Sequence, residues 1–130
     1  MQKKVRLSQR LENFIKTVKL IEKAAAIKNP TEIEQGGMVK YFELSFELAW
    51  KLLKDRLEID GFDLSSPREI IKKSAQGGYI DKGRLFLDML DARNKATHIY
   101  SGKEVAKLES EIKKMYLPAL KKLQENLLDI

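Results

Sequence analysis

Apolar residues recur along this chain in helical steps. Leu7, Leu11, Phe14, Val18, Ile21 and Ala25 alternate spacings of four and three, the seam of a helix of about six turns. Asn29-Pro30 is placed to stop it. Thr31-x-x-Glu34 reads as a capping box opening a second helix, with Gly36-Gly37 weakening its first turn. Val39, Phe42, Phe46, Ala49 and Leu53 form its seam, and Leu44, Leu48 and Leu52 add a second apolar edge. A helix apolar over so much of its circumference belongs in the middle of a bundle. Gly61 suits the position just past its end.

Ser66-Pro67-Arg68-Glu69 predicts a second capping box with Pro at the first helical position, starting a helix of about ten residues that ends at Gly77-Gly78. Asp81 is the candidate cap of the next helix, with Leu85, Met89, Ala92, Ala96 and Ile99 as its apolar face. Ser101-x-x-Glu104 is a further capping box, so that helix must stop near residue 100. The last helix carries Val105, Leu108, Ile112, Met115, Ala119, Leu123 and Leu127, with Pro118 inside the pattern and expected to kink it. No alternating stretch of strand length interrupts the series. The expectation is an all-α, up-and-down four-helix bundle with one short extra helix, a single domain over residues 1–130. Apolar positions beyond one stripe on several helices leave surface for self-association, most simply a two-fold homodimer.

Composition narrows the chemistry. The chain has no Cys, so a disulfide framework, a thiolate zinc site and a cysteine nucleophile are excluded. It has one His, too few for a histidine metal cluster within one chain. No apolar run approaches the roughly 20 residues that span a membrane. Met-Gln-Lys-Lys-Val-Arg at the start, with no apolar stretch behind it, does not read as a secretory signal, and a cytoplasmic location is the expectation. The net charge of +6 is unevenly placed. Residues 1–30 hold eight basic and two acidic residues, 8 − 2 = +6, while the other hundred hold 17 of each. That is either a solvated lysine-rich helix face or a surface that draws nucleic acid or an acidic partner.

One cluster concentrates reactive groups: Arg93-Asn94-Lys95-Ala96-Thr97-His98-Ile99-Tyr100. Histidine exchanges protons near neutral pH, and a guanidinium grips phosphate with two parallel hydrogen bonds. Arg93 and His98 lie five residues apart, about 140° around a straight helix, so they do not converge on one atom unless the helix end turns or a dimer supplies one of each. The ordinary readings stand beside these. A histidine near a helix C-terminus suits the dipole, and Arg93 has Asp91, Asp88 and Glu47 as possible partners. On the second helix Glu43, Glu47, Lys51 and Lys54 form a polar stripe, either a solvated ladder or, through Glu43, Glu47 and Lys51, the lining of a cleft beside the cluster. Trp50 reads as packing rather than base stacking.

Arg-Asn-x-x-x-His-x-Tyr on a penultimate bundle helix resembles the signature of HEPN domains (higher eukaryotes and prokaryotes nucleotide-binding). The stretches Tyr41–Lys54, Ser66–Ile71 and Leu87–Tyr100 together resemble the bacterial nucleotidyltransferase substrate-binding proteins, HEPN partners of a minimal nucleotidyltransferase (MNT) in toxin–antitoxin pairs. The resemblance implies a homodimer whose two motifs face a shared cleft, acting as a metal-independent endoribonuclease. His98 would serve the 2′-hydroxyl or the leaving oxygen, Arg93 would hold the phosphate, and Asn94 would orient them. RNA brings its own nucleophile, so no metal and no cofactor is implied. It further implies that the nucleotidyltransferase transfers AMP to Tyr100 and so silences the toxin. The alternative is a non-catalytic subunit that binds substrate or nucleotide for the transferase.

Overall fold

The computed structural model describes residues 2–99 and 101–128. The described chain is helical throughout. It comprises α1 (Gln2–Ala25), α2 (Glu32–Ile59), α3 (Pro67–Gln76), α4 (Gly83–Ala96) and a C-terminal rod of α5 (Gly102–Glu111), a π-helical turn (Ile112–Tyr116) and α6 (Leu117–Leu128). Four long elements and the short α3 make the expected helical bundle. Among the described residues no helix is long and apolar enough to cross a membrane.

The punctuation acts as its chemistry requires. Thr31 caps α2 with a full reciprocal box: its hydroxyl accepts from the Glu34 amide at 3.2 Å and its own amide donates to Glu34 Oε1 at 2.9 Å. Ser66 and Ser101 each accept from the amide three residues on, of Glu69 and Glu104, so the expected boxes are half-formed there, without the return bond from the cap amide to the glutamate among the described residues. At the end of α2, Phe62 N–H reaches Leu57 O (2.9 Å) and Gly61 N–H reaches Glu58 O (3.1 Å), with Gly61 at φ +94°. That pair is a Schellman closure, and its left-handed residue costs glycine nothing. α3 ends the same way, through Tyr79 N–H to Ser74 O and Gly78 at φ +80°.

α2 is the axis. It touches every other helix, and Phe42, Phe46, Ala49 and Leu52 are sealed from water. Ion pairs Arg10–Asp55 and Arg6–Glu58 show α1 running antiparallel to it. Asp55 sits in this wall with its side chain 2% exposed, and Arg10 Nη1 donates to both its oxygens at 2.8 Å. Burial pushes the Asp55 carboxyl above its usual range, opposed by the charge and hydrogen bonds of Arg10.

Three expectations are corrected. Asp81 does not cap α4. Lys82 occupies that position without a side-chain bond, and the helix begins at Gly83, where an added Cβ would stand 2.8 Å from Ala75 Cβ. Close approach to α3 therefore fixes the start. The buried face of α4 is Phe86, Met89, Leu90 and Ala96, while Leu85, Ala92 and Ile99 are only partly covered. The helix is thus turned by roughly 80° from the expected stripe, toward α2. In the C-terminal rod the expected Met115 and Ala119 give way to Tyr116 and Leu120 as core residues. Pro118 cannot donate to the carbonyl four residues back, and the chain answers with the π turn, in which Leu117 N–H bonds Ile112 O. Around that turn the seam moves on by one residue, to Tyr116 and Leu120, leaves Met115 42% exposed, and rejoins the expected pattern at Leu123 and Leu127.

Removing one member of the Arg10–Asp55 pair should cost unequally. Arg10→Ala strands a buried carboxylate and should lower stability by about 3–5 kcal/mol at neutral pH. Asp55→Ala leaves Arg10, whose side chain is 29% exposed, free to reach water, and should cost less. Without Arg10, Asp55 holds its proton more tightly folded than unfolded, so the variant loses stability as pH rises above the ordinary carboxylate range and approaches wild type as pH falls toward about 4. Urea denaturation of both variants across pH checks the order and the sign.

Candidate functional site

The end of α4 carries the reactive cluster, and the turning of that helix decides where each side chain goes. Arg93 lies in line with Phe86, Met89 and Leu90, so it reaches inward across α2. Its Nη2 donates to Glu47 Oε2 in a very short ion pair, and its Nη1 donates to Asn94 Oδ1 at 3.0 Å. Glu47 is a hub. It also accepts from Trp50 Nε1 at 3.1 Å and pairs with Lys51 Nζ at 3.3 Å. Lys51 in turn stands 5.9 Å from the Trp50 ring centroid. A half-buried carboxylate with three donors is well satisfied, and it fixes the guanidinium it receives. Of the three polar residues considered as cleft lining, Glu47 meets the cluster directly, and Lys51 touches Glu47 alone among these groups. Glu43 is half-buried and makes no hydrogen bond or ion pair among the described residues.

α4 stops at Ala96, with Thr97 as its C-cap. His98 lies just beyond, in a turn where its amide donates to Lys95 O at 2.9 Å, and it is exposed. Its side chain belongs to the other flank of α4, facing α5. The five-residue separation has its geometric effect: within one chain Arg93 points to α2 and His98 to α5, and they do not meet. The candidate modification site Tyr100 lies outside the described residues.

His98 opens onto a groove of about 520 Å³ between α4 and the C-terminal rod. Lys95 and Lys107 line it with four carboxylates, Asp88, Asp91, Glu104 and Glu111. Two of these are already committed, Asp91 to Arg68 at 3.0 Å and Asp88 to Arg84 at 3.3 Å. Tyr116 lines its apolar side, stacked on Phe42 with ring centroids 5.3 Å apart. The Tyr116 hydroxyl donates to Glu111 at 3.0 Å, and burial together with that carboxylate pushes its ionisation well above the usual range. The groove runs on through Leu85, Asp88 and Met115 into a larger, more apolar hollow of about 760 Å³ beside α6. The seam between α4 and the rod is thus an open trough.

The acidic rim is a feature that sequence reasoning misses. Its signal is Leu85, Asp88, Ala92, Lys95 and Ile99, a mixed polar and apolar edge on α4 that a reading by apolar period absorbs into one stripe. The buried Asp55 escapes in the same way, though it stands three residues past Leu52 on an apolar edge.

Tyr116 yields a pH prediction. Its folded pKa is raised, so above about pH 10 the unfolded chain releases the proton first and stability falls as pH rises. The loss should approach about 1.4 kcal/mol per pH unit. Tyr116→Phe should show a shallower decline over that range in urea titrations, the difference being the tyrosine's share.

A family model described as nucleotidyltransferase substrate binding protein like matches residues 9–129. Among solved structures, the crystal structure of a Thermus thermophilus protein is similar, with 26% identity, 89% of this chain and 96% of that chain covered, and a TM-score of 0.75. No curated protein matches the chain.

Proposed function

This chain belongs to the nucleotidyltransferase substrate binding protein-like family, and from that premise we propose that it is the HEPN subunit of a HEPN/MNT pair, a homodimeric, metal-independent endoribonuclease held in check by its nucleotidyltransferase. The observation that carries the reading is the Arg93 arrangement. Glu47 and Asn94 hold the Arg93 guanidinium in place near the end of α4, and the exposed His98 leaves that same helix end on the opposite flank, so that a second copy of the chain is what brings the two groups together. A two-fold axis near the end of α4 does so, with His98 of one chain beside Arg93 of the other. The RNA 2′-oxygen attacks the adjacent phosphorus, the bond to the 5′-oxygen breaks, and His98 moves the proton. Arg93 takes up the developing charge on the phosphoryl oxygens. Control would follow by transfer of AMP from ATP to the Tyr100 oxygen, releasing pyrophosphate. The added phosphodiester would compete with RNA for Arg93.

The second reading is a non-catalytic subunit that presents substrate or nucleotide to the transferase. It is favoured by the neutralisation of Arg93 by Glu47 and by the divergence of Arg93 and His98 within one chain.

Purified homodimer in EDTA should cut single-stranded RNA, and His98→Ala should slow it by about 10²–10⁴-fold. Arg93→Ala should cost a comparable factor, about 10²–10³. Intact protein that leaves RNA uncut yet forms a complex with a nucleotidyltransferase on size exclusion supports the binding subunit instead. Intact mass after co-production with that transferase should gain one adenylate per chain, absent in Tyr100→Phe.

A further inference from the structure

The excess charge of the chain resides in α1, and the structure sorts it by residue type. The two arginines of that helix pair with α2, Arg10 inward to Asp55 at 2.8 Å and the exposed Arg6 to Glu58 at 3.7 Å. The lysines remain outside. Lys16, Lys19 and Lys23 are exposed, and among the described residues none of them stands within ion-pair distance of a carboxylate. At 100° per residue the three fall within about 60° of one another, on the side opposite the buried Phe14, Val18 and Ile21. Of the two acids of α1, Glu22 turns toward Lys121 on α6 at 3.5 Å, while Glu12, one turn before Lys16, lies on the lysine face and leaves it a net charge of 3 − 1 = +2.

We propose that this outer face of α1 is an anchoring site for the phosphate backbone of single-stranded nucleic acid, with Lys16, Lys19 and Lys23 each taking one phosphate. The three charges are spread over about 10 Å of a rigid rod, with steps of about 4.5 and 6 Å, and their flexible stems can follow successive phosphates. An acidic protein surface fits less well. Lysine is depleted from protein interfaces, whereas backbone contacts that carry no sequence information suit it. The site lies on α1, apart from the α4 cluster, and positions a strand without acting on it. It is independent of the nuclease reading, because it needs neither His98 nor a 2′-hydroxyl.

The test uses the full chain and a fluorescein-labelled oligodeoxynucleotide about 20 nucleotides long, which lacks the 2′-hydroxyl and so reports binding whether or not the protein cuts RNA. Three phosphate contacts on a single strand give a salt slope of about −2. Anisotropy should therefore show affinity falling about 20-fold as salt rises from about 50 to 200 mM. Lys16→Gln, Lys19→Gln and Lys23→Gln together should remove most of that slope and weaken binding equally for unrelated sequences, with the thermal melt by circular dichroism unchanged. Absence of binding by wild type, or an unchanged slope in the triple variant, overturns the proposal. It is also overturned if the triple variant keeps its oligonucleotide affinity but loses association with a nucleotidyltransferase, since the face then serves a protein.

Discussion

A carboxylate on a helix that water barely reaches must find a cation, and α2 imposes that constraint on the whole bundle. Because α2 touches every other helix, three of its acids meet a neighbouring helix rather than open solvent. Asp55 takes Arg10 from α1, Glu58 takes Arg6, and Glu47 takes Arg93 from α4. The first two tie the antiparallel pair together. The third does more, because the cation it recruits is the one the sequence singles out for phosphate chemistry. The electrostatic rule that assembles the core also orients the candidate site.

The parts of the fold legible in the sequence are those governed by local chemistry. Thr31, Ser66 and Ser101 cap because a side-chain oxygen three residues before an amide needs no distant help. Gly61 and Gly78 close α2 and α3 because a left-handed residue is cheapest as glycine. The parts that are not legible depend on neighbours. The rotation of α4 follows from what α2 and α3 offer it, Gly83 against Ala75 at one end and Glu47 for Arg93 at the other. An apolar stripe read by period alone cannot weigh Phe86 and Leu90 against Leu85 and Ala92, since both pairs are apolar. The same rotation settles the candidate site: Arg93 turns in, His98 turns out, and only the sequence distance between them announces that they part.

The open seam between α4 and the C-terminal rod is the other organising feature. Elsewhere helices close on each other around one core that draws side chains from every element. Here a trough persists, apolar toward α6 and acidic toward His98. The two chemistries separate along its length, so the molecule presents three distinct surfaces: lysines on α1, an anchored guanidinium between α2 and α4, and a carboxylate-rimmed groove beyond it.

The π turn ahead of Pro118 makes the last helix a counting device. Everything from Leu117 onward keeps its inward phase only because one surplus residue is stored in that turn. Straightening that turn into ordinary α geometry with every residue kept would swing Leu120, Leu123 and Leu127 about a quarter-turn away from the core, whereas loss of one residue there would leave them in phase. The turn is therefore the point where this rod can shed one residue and keep the register of the helix that follows.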